Sequence, residues 1–344
     1  MKEKSGRFAP ALFFAIIYPM SKKILVSGIK ATGTLHFGNY FGAMKQNIDL
    51  PNSGEYESYV FIADYHALTT VKDGKALRET VKEITAAYVA CGLDTTKTAL
   101  FKQSDIPEHT ELAWVFNNVV TVPYLMRSHA FKDHEAKSKE VNAGLFTYPV
   151  LMAADILMYQ ADIVPVGQDQ KQHVEYARDI AGFYNRAWGV EEFKLPKEYI
   201  LGGVGIVPGT DGEKMSKSKG NVISLFGTDE EIKKSVMGIV TDSASPEQKK
   251  NPDENNVYKI HKLFLNESED KELRAKFENG GYGYKQAKEE LLETIRNWRE
   301  GKKEIYDDLM ANPEKITKIL EEGGKRARAQ AQVTMKKVRE QVGF

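Results

Sequence analysis

The chain has 344 residues, and its 48 Lys and Arg residues are balanced by 48 Asp and Glu residues. This length suits one large domain with a smaller one, or two domains of moderate size. The zero net charge excludes binding of nucleic acid through bulk charge, so a surface for such a partner must be local. A single cysteine, Cys91, excludes an intramolecular disulfide framework and a cysteine-built zinc site. It also suits a reducing compartment, so we expect a cytoplasmic protein.

The first twenty residues resemble the start of a secretory signal but do not complete one. Residues 1–7 are basic and residues 8–19 are mostly apolar. No small-x-small cleavage site follows, and the run is too short to cross a bilayer. We predict that residues 1–20 are an extension outside the fold, or the product of a start codon placed too early, with Met20 as the alternative start. Targeting is the competing interpretation, and no membrane association is expected.

A buried strand, a glycine-bearing loop and the start of a helix follow between residues 24 and 42. Residues 24–26 form a short apolar run, as expected of a strand buried on both faces. Gly28 and Gly33 interrupt it, and helix-compatible residues resume at Tyr40. This arrangement is suited to phosphate, because a helix N-terminus presents unpaired N–H groups and glycines let the backbone come close. The loop matches neither the dinucleotide fingerprint nor the P-loop.

A His-x-Gly-polar tetrad, His36–Asn39, stands where this loop meets the helix. The imidazole of His36 can donate to a phosphate oxygen, and Gly38 leaves room for a ribose or an adenine on the backbone. By itself the tetrad fits a helix-capping loop with an incidental histidine equally well.

Further strands are predicted at residues 59–64 and 99–102, with a helix from Lys75 to Cys91 between them. The alternation of strands and helices indicates a parallel sheet with both faces covered. Ligands of such sheets bind at the carboxyl ends of the strands. Three polar segments fall at such ends: residues 27–30, 64–66 and 103–104.

The next predicted helix starts at Tyr148, with Pro149 in its first turn. Tyr148, Met152, Asp155 and Tyr159 recur at spacings that place them on one face. Asp155 is thus a carboxylate in an almost wholly apolar helix, and a buried, unpaired carboxylate is costly. Its partner is either an Arg or Lys elsewhere in the fold, or a ligand donor inside an aromatic and thioether pocket.

Residues 162–167 predict another buried strand, and a helix from Val174 to Phe183 follows. Between them, Asp169 is well placed to hold ribose hydroxyls. Gln170 offers a donor and an acceptor to a polar substrate group. His173 is better explained as a helix residue that packs on the sheet.

The segment Lys214–Ser218 reads Lys-Met-Ser-Lys-Ser within a loop rich in Gly and Asp. Lys214 and Lys217, with the hydroxyls of Ser216 and Ser218, form a flexible cationic clamp. Such a clamp can offset the charge that builds on a pyrophosphate leaving group. The alternative is a solvated basic loop.

After Ile223 the pattern is helical throughout, with Gly280-Gly281 and Gly323-Gly324 as expected breaks. The last segment is rich in basic residues and has one acidic residue among them, Glu340. The predicted helices cover residues 230–239, 257–265, 269–277, 286–306 and 316–342. The basic residues are Lys325, Arg326, Arg328, Lys336, Lys337 and Arg339.

The tetrad His36–Asn39 and the loop Lys214–Ser218, in this order, resemble the two signature motifs of class I aminoacyl-tRNA synthetases. Further segments narrow the resemblance to the tryptophanyl-tRNA synthetase family, over essentially all of residues 23–344. No single segment is specific, but the combination is. The segments are residues 28–33, 64–69, 147–157, 162–173, 178–180, 240–243, 252–256 and 281–285.

The resemblance implies an α/β fold, with a Rossmann-like parallel-sheet catalytic domain at residues 21–225 and an all-helical tRNA- and anticodon-binding domain at residues 226–344. It implies ATP-dependent activation of L-tryptophan to tryptophanyl-adenylate and transfer to tRNA(Trp), with release of AMP and diphosphate. It further implies a homodimer, with Mg²⁺ carried by ATP and no dedicated protein metal site. The basic last helix then fits either a surface that meets tRNA or a solvated amphipathic helix.

The resemblance also assigns site residues. Asp155 would accept the indole N–H and Met152 would line the ring pocket, which suits a substrate with one N–H donor on a large apolar body. A buried acceptor penalises substrates that leave it unpaired. Tryptophan would be bound by His66, Tyr148, Met152, Asp155 and Gln170. ATP would be bound by Lys30, Ala31, Thr32, Gly38, Asn39, Gly167, Gln168, Asp169, Lys214, Met215, Ser216, Lys217 and Ser218. The catalytic groups would be Lys30, His36, Lys214 and Lys217.

Three positions depart from the commoner family pattern. Lys30 stands where Gln is usual near the α-phosphate, and its charge would still bind phosphate. Gln168 stands where Glu is common. His134 stands where a mobile Lys often occurs, and Lys132 or Lys137 could substitute for it. We therefore include residues 132–139 in the expected site.

Three alternatives remain open. The related tyrosyl-tRNA synthetase would use its acceptors for a phenol, and amino-acid-dependent exchange separates the two. A small nucleotidylyltransferase with a His-x-Gly-His loop is a different class of enzyme, and the helical second domain and the Lys214 clamp oppose it. A synthetase-like sensor would bind tryptophan or ATP without charging tRNA, and an aminoacylation assay separates it from an enzyme.

Overall fold

The computed structural model describes residues 22–128, 131–132, 142–167, 171–200 and 206–344. The predicted extension at residues 1–20 lies outside the described residues. One five-stranded parallel sheet has the order β3-β2-β1-β4-β5, which confirms the predicted parallel sheet. The strands are β1 (Lys23–Lys30), β2 (Tyr56–Ala63), β3 (Thr98–Lys102), β4 (Ile163–Pro165) and β5 (Lys197–Tyr199). The short β5 was not predicted, because Lys-Glu-Tyr carries no apolar run.

Helices cover the sheet and then make up most of the C-terminal part of the chain. They are α1 (Phe37–Asn39), α2 (Gln46–Asn52), α3 (Asp64–Ala67), α4 (Gly74–Ala90), α5 (Glu108–Asn117), α6 (Val122–Leu125), α7 (Ala143–Leu157), α8 (Lys171–Trp188), α9 (Asp229–Met237), α10 (Asn256–His261), α11 (Glu267–Asn279), α12 (Tyr284–Arg299), α13 (Lys302–Ala311) and α14 (Pro313–Val342). A π-helical turn, Tyr40–Met44, joins α1 to α2. Short 3-10 turns occur at Gln103–Asp105, Lys217–Lys219, Pro252–Glu254 and Lys262–Phe264.

The central strand β1 is held to its surroundings by buried polar groups as well as by the sheet ladder. Ser27 Oγ donates to Asn47 Oδ1 at 2.8 Å, and Asn47 Nδ2 donates to the hydroxyl of Tyr88 at 3.2 Å. These bonds connect β1 to α2 and α4. A buried polar group without a partner would destabilise the fold, so each bond also fixes the register of these elements.

Two apolar cores form on opposite faces of the sheet, because successive strand residues point to alternate sides. Val60, Ile62 and Leu100 belong to one core, and Tyr59, Phe61 and Phe101 belong to the other. The long helix α14 contributes to both. Its first half adds Ile316 and Leu320 to the core that the C-terminal helices share. Its second half adds Ala327, Ala331, Met335 and Val338 to the other core.

Helix α7 differs from its prediction at both ends. The helix starts at Ala143, well before Pro149, because the side chain of Asn142 accepts a capping hydrogen bond from the Leu145 N–H at 2.8 Å. Pro149 therefore lies inside the helix. At the other end Tyr159 lies beyond the last helical residue, just before Gln160, whose φ is 56°. Tyr148, Met152 and Asp155 still share one helix.

The C-terminal helices follow the predicted pattern with two corrections. The predicted helix at residues 286–306 is two helices, α12 and α13, separated at Gly301, where φ is 72°. Gly323 and Gly324 do not end a helix as predicted but lie inside α14. Gly323 instead allows close packing, since a Cβ there would overlap the backbone oxygen of Leu100 in β3. Gly280 and Gly281 do separate two helices, α11 and α12, and both have φ of 79°.

Several basic residues of α14 make contacts within the chain. The guanidinium of Arg326 donates to the backbone oxygens of Thr95, Thr96 and Thr98. Three ion pairs join α14 to the elements around the sheet: Arg328–Glu108, Lys337–Glu192 and Arg339–Glu111. These contacts hold α14 against the elements around the sheet. Residues on both sides of the predicted division at residues 225 and 226 contribute to one apolar core.

No helix in the described part of the chain is long and apolar enough to cross a membrane.

The packing of Gly323 predicts opposite effects for two adjacent substitutions. Gly323→Ala forces a methyl group against the Leu100 carbonyl, and we expect a loss of about 1–3 kcal/mol in the free energy of unfolding. At Gly324 a Cβ would meet Asp105 Cβ at 3.7 Å, an ordinary contact. Gly324→Ala should therefore be neutral or stabilising by up to about 1 kcal/mol through helix propensity. Urea denaturation measures both, and equal stability of the two variants would contradict the packing account.

Candidate active site

The carboxyl edge of the sheet collects polar groups from neighbouring strands, as predicted for a parallel sheet. Lys30 ends β1, Asp64 and His66 follow β2, and Gln103 follows β3. Asp64 is nearly buried and accepts a hydrogen bond from the Ser104 backbone N–H at 2.9 Å. The connections after β2 and β3 are thereby held together, and the polar side chains beside them share one edge.

The loop after β1 ends in His36, which precedes the first residue of α1. The Asn39 side chain turns back to accept the backbone N–H of His36 at 3.1 Å. His36 is buried, and its Nδ1 has no hydrogen-bond partner in the described structure. Burial, followed by the positive charge of Lys217, lowers the pKa of His36. The imidazole is therefore a neutral group with an unused nitrogen beside a lysine.

The two predicted signature motifs lie against each other. The Gly38 N–H approaches the Met215 sulfur at 3.1 Å, and a Cβ on Gly33, whose φ is 66°, would overlap the Lys217 side chain. Backbone hydrogen bonds extend the contact, from Phe37 N to Ile223 O at 3.0 Å and from Leu225 N to Leu35 O at 3.0 Å. Residues almost 180 positions apart thus form one cationic, glycine-lined surface.

Asn221 organises the Lys214–Ser218 loop, a role that the sequence interpretation missed. This buried side chain accepts the Ser216 backbone N–H at 2.7 Å and donates to the Lys214 backbone oxygen at 3.1 Å. It also donates to Asp211 at 2.7 Å. The hydroxyls of Ser216 and Ser218 are 2.9 Å apart. An asparagine directly after Lys-Gly was the available signal, since Asn side chains commonly bond the backbone of nearby turns.

Asp155 is fully buried, and three donor groups surround its carboxylate. Gln103 Nε2 lies 2.8 Å from Oδ1 and 2.9 Å from Oδ2. His66 Nε2 lies 2.9 Å from Oδ2, and His109 Nδ1 contacts Oδ1. The Gln103 amide is oriented by its own oxygen, which accepts the His66 backbone N–H at 3.3 Å. The partners of the carboxylate are two histidines and a glutamine, and not the Arg or Lys that we considered from the sequence as a structural partner.

The surroundings of Asp155 keep it ionised. Burial alone would raise the pKa of this carboxyl, but the electrostatic interaction with His109 and the hydrogen bonds from His109 and His66 outweigh it, and the pKa falls to about 2. Behind His109, the Tyr159 hydroxyl lies 2.7 Å from Nε2, and burial raises the pKa of Tyr159. The cluster is a buried carboxylate held by polar groups from three separate segments. Gln103 and His109 were not predicted as site residues, because they lie far from Asp155 in the sequence.

A cavity of about 240 Å³ adjoins this cluster, between the segment after β2 and the N-terminal half of α7. His66 and Tyr148 both line it, whereas Met152 and Asp155 are not among its lining residues. The Tyr148 ring packs edge-on against His66 and His173, and burial raises its pKa to about 12. His66 therefore stands between the cavity and Asp155.

Lys30 lies at the end of β1 with its Nζ 3.0 Å from Thr69 Oγ1. Partial burial lowers its pKa. The Thr69 hydroxyl donates to the His66 backbone oxygen at 2.8 Å, so Lys30 is connected to the segment that carries His66. Ala31 is buried and Thr32 is exposed in the turn that follows.

Some predicted site residues lie outside the described residues, namely residues 133–139, which include His134, and Gln168, Asp169 and Gln170. Gly167, the last described residue before the gap, follows β4 at the same sheet edge. Within the described ranges, no group of three or more His, Cys, Asp or Glu side chains could hold a metal ion.

The fold and these motifs agree with comparisons to known proteins. Residues 20–298 match the family model described as tRNA synthetases class I (W and Y). The chain is 50% identical, over 93% of its length and 97% of the relative's, to a Fusobacterium nucleatum protein named tryptophan–tRNA ligase. A crystal structure of Campylobacter jejuni tryptophanyl-tRNA synthetase complexed with ADP and tryptophan matches with a TM-score of 0.85 and 42% identity, covering 93% of this chain and 99% of that one. An Archaeoglobus fulgidus tyrosyl-tRNA synthetase complexed with L-tyrosine, 20% identical, shares the fold with a TM-score of 0.63 over 83% of this chain and 90% of that one. This chain belongs to the class I tRNA synthetases of the W and Y family.

Proposed function

We propose that the protein activates L-tryptophan with ATP and transfers it to tRNA(Trp), releasing AMP and diphosphate. One observation carries the proposal: half of the aligned residues are identical to a tryptophan–tRNA ligase across nearly the full length of both chains. The chemistry needs no covalent enzyme intermediate. The tryptophan carboxylate attacks the α-phosphorus of ATP, and the terminal ribose hydroxyl of the tRNA then attacks the mixed anhydride.

The phosphate side of the site would lie where the two signature motifs meet. We assign the nucleotide to the surface formed by Gly38, Asn39 and Met215, with Gly167 and Asp169 toward the ribose. His36 and Lys30 would donate to phosphate oxygens, and Lys214 and Lys217 would balance the charge on the departing pyrophosphate. The remaining ATP contacts would come from Ala31, Thr32, Gln168, Ser216 and Ser218. Mg²⁺ would enter with ATP as part of the substrate.

The amino-acid side would lie around the carboxylate of Asp155. We assign this group as the acceptor of the indole N–H, because it is buried and ionised, and because His66, which lines the cavity, contacts it directly. Tyr148 and Met152 would contact the ring, and His66 and Gln170 would meet the ammonium and carboxylate. A phenylalanine side chain offers no donor to this acceptor, so the site should reject it.

The proposed reaction is tested by pyrophosphate–ATP exchange with the purified chain and each amino acid added singly. We expect exchange with tryptophan alone, followed by formation of tryptophanyl-tRNA when tRNA(Trp) is supplied. Exchange with tyrosine instead would move the assignment to the tyrosine enzymes of the family. Exchange without tRNA charging would favour a tryptophan sensor.

The assignment of the lysine loop predicts a selective loss of rate. Lys217→Ala should remove about 2–4 kcal/mol of transition-state stabilisation from tryptophan activation, since the ammonium acts on charge that develops only in that state. The KM for tryptophan should change little. Lys219→Ala is the matched control, because Lys219 lies in the same loop and pairs with Glu213 at 3.5 Å. Unchanged exchange in Lys217→Ala would remove this lysine from the mechanism.

We further propose that the enzyme acts in the cytoplasm as a homodimer. The support for the homodimer is a stretch of large apolar side chains left exposed in α5, in α6 and directly after α6. Trp114 is 70% exposed, Val122 61% and Met126 44%. Exposed apolar residues that cluster in one stretch are typical of a surface that meets another protein.

A substitution at the proposed dimer interface should change the oligomeric state of the protein. Trp114→Glu should convert the protein to a monomer at micromolar concentration, because a charge at the centre of an apolar interface cannot be solvated there. Val333→Glu, at a position on α14 that is 55% exposed, should leave the mass unchanged. Light scattering coupled to gel filtration measures both. A monomeric wild-type protein, or a dimeric Trp114→Glu variant, would contradict the proposal.

A further inference from the structure

His109 holds a position that the proposed reaction does not use. It lies in α5, its side chain is fully buried, and it lines no part of the cavity beside His66. Its Nδ1 contacts Asp155 Oδ1, and its Nε2 lies 2.7 Å from the Tyr159 hydroxyl. A buried imidazole bonded at both nitrogens has one orientation, so His109 is a fixed partner of the carboxylate.

The hydrogen bonds define which tautomer His109 adopts. Burial raises the pKa of Tyr159, so the phenol keeps its proton and can donate it to Nε2. Nδ1 then carries the ring proton and donates it to Asp155, which satisfies both ends of the imidazole. Tyr159 is itself held by the Tyr59 ring, stacked at 4.6 Å between centroids. The orientation of the carboxylate thus depends on aromatic packing behind it.

The two oxygens of Asp155 differ in what surrounds them. Oδ1 is held by the fully buried His109, whereas Oδ2 is held by His66, whose side chain is 12% exposed and lines the cavity. Gln103 donates to both oxygens. A carboxylate has about four acceptor sites, so this one is close to saturation, and an incoming donor has to replace a bond already present. His66 is the partner within reach of the cavity.

We propose that His109, braced by Tyr159, is a positioning residue that holds Oδ1 of Asp155 and thereby presents Oδ2 to the N–H donor of the amino-acid substrate. This inference rests on the proposed function, which makes Asp155 the acceptor of the indole N–H. It adds a specificity-determining residue outside the pocket. The selectivity for a ring that carries an N–H then depends on a side chain that never touches the substrate.

The test compares tryptophan with β-(3-benzothienyl)alanine, in which sulfur replaces the indole N–H. The measured quantity is the KM of the analogue divided by the KM of tryptophan, both determined in pyrophosphate–ATP exchange. His109→Leu should raise the KM for tryptophan about 10- to 100-fold, the effect of a charge-assisted hydrogen bond, and change that of the benzothienyl analogue much less. The KM for ATP should stay constant. In His109→Asn the amide can reach Asp155 as Nδ1 does, so the KM ratio of this variant should stay close to that of the wild-type protein.

Two further variants separate the possible failures. Tyr159→Phe removes only the bracing hydroxyl and should lower the ratio about 2- to 10-fold, so it decides the question if His109→Leu does not fold. Asp155→Asn should abolish the preference for the N–H. A wild-type ratio in Asp155→Asn would overturn the pocket assignment itself. A different outcome would overturn the positioning role alone. In that outcome Asp155→Asn loses the preference for tryptophan, but the folded His109 or Tyr159 variants raise the KM values of both amino acids equally.

Discussion

The buried carboxylate of Asp155 is the constraint on which the site depends. An isolated charge in an apolar helix would be strongly unfavourable, so the fold has to deliver hydrogen-bond donors to it. His66 comes from the segment after β2, Gln103 from the end of β3 and His109 from α5. These elements therefore cannot shift relative to α7 without leaving the charge unpaired. The hydrogen bonds that stabilise the buried carboxylate also define the direction from which a ligand donor can approach it.

The second organising feature is the contact between the two signature motifs, His36–Asn39 and Lys214–Ser218. Small residues permit it, since Gly33 and Gly38 leave space that the Lys214–Ser218 segment fills. Asn221 fixes the shape of that segment through hydrogen bonds to its backbone. Cations on a flexible loop can follow the movement of charge from substrate to leaving group. A neutral His36 beside them adds a donor or an acceptor without adding charge.

The sheet, its parallel sense and most helices could be predicted from the sequence, because buried strands and amphipathic helices leave local patterns. The two signature motifs could be recognised because each is a short contiguous run of residues that resembles a family motif. Failures came where tertiary packing decides. Gly323 has the local pattern of a helix break, but it lies inside α14 and accommodates the Leu100 carbonyl. Asp155 was recognised as needing a partner, yet His109 and Gln103 could not be named, because they are 46 and 52 residues away.

The shared helix α14 has a consequence for how the chain can be divided. Its 30 residues begin in the core of the C-terminal helices and end in the core on the other face of the sheet. At about 1.5 Å per residue this spans some 45 Å, most of the width of a domain. A fragment cut before α9 would expose the face that α14 covers, and the excised helices would lose the surface on which they end. A cut between the sheet and the C-terminal helices would therefore expose apolar side chains on both of the resulting fragments.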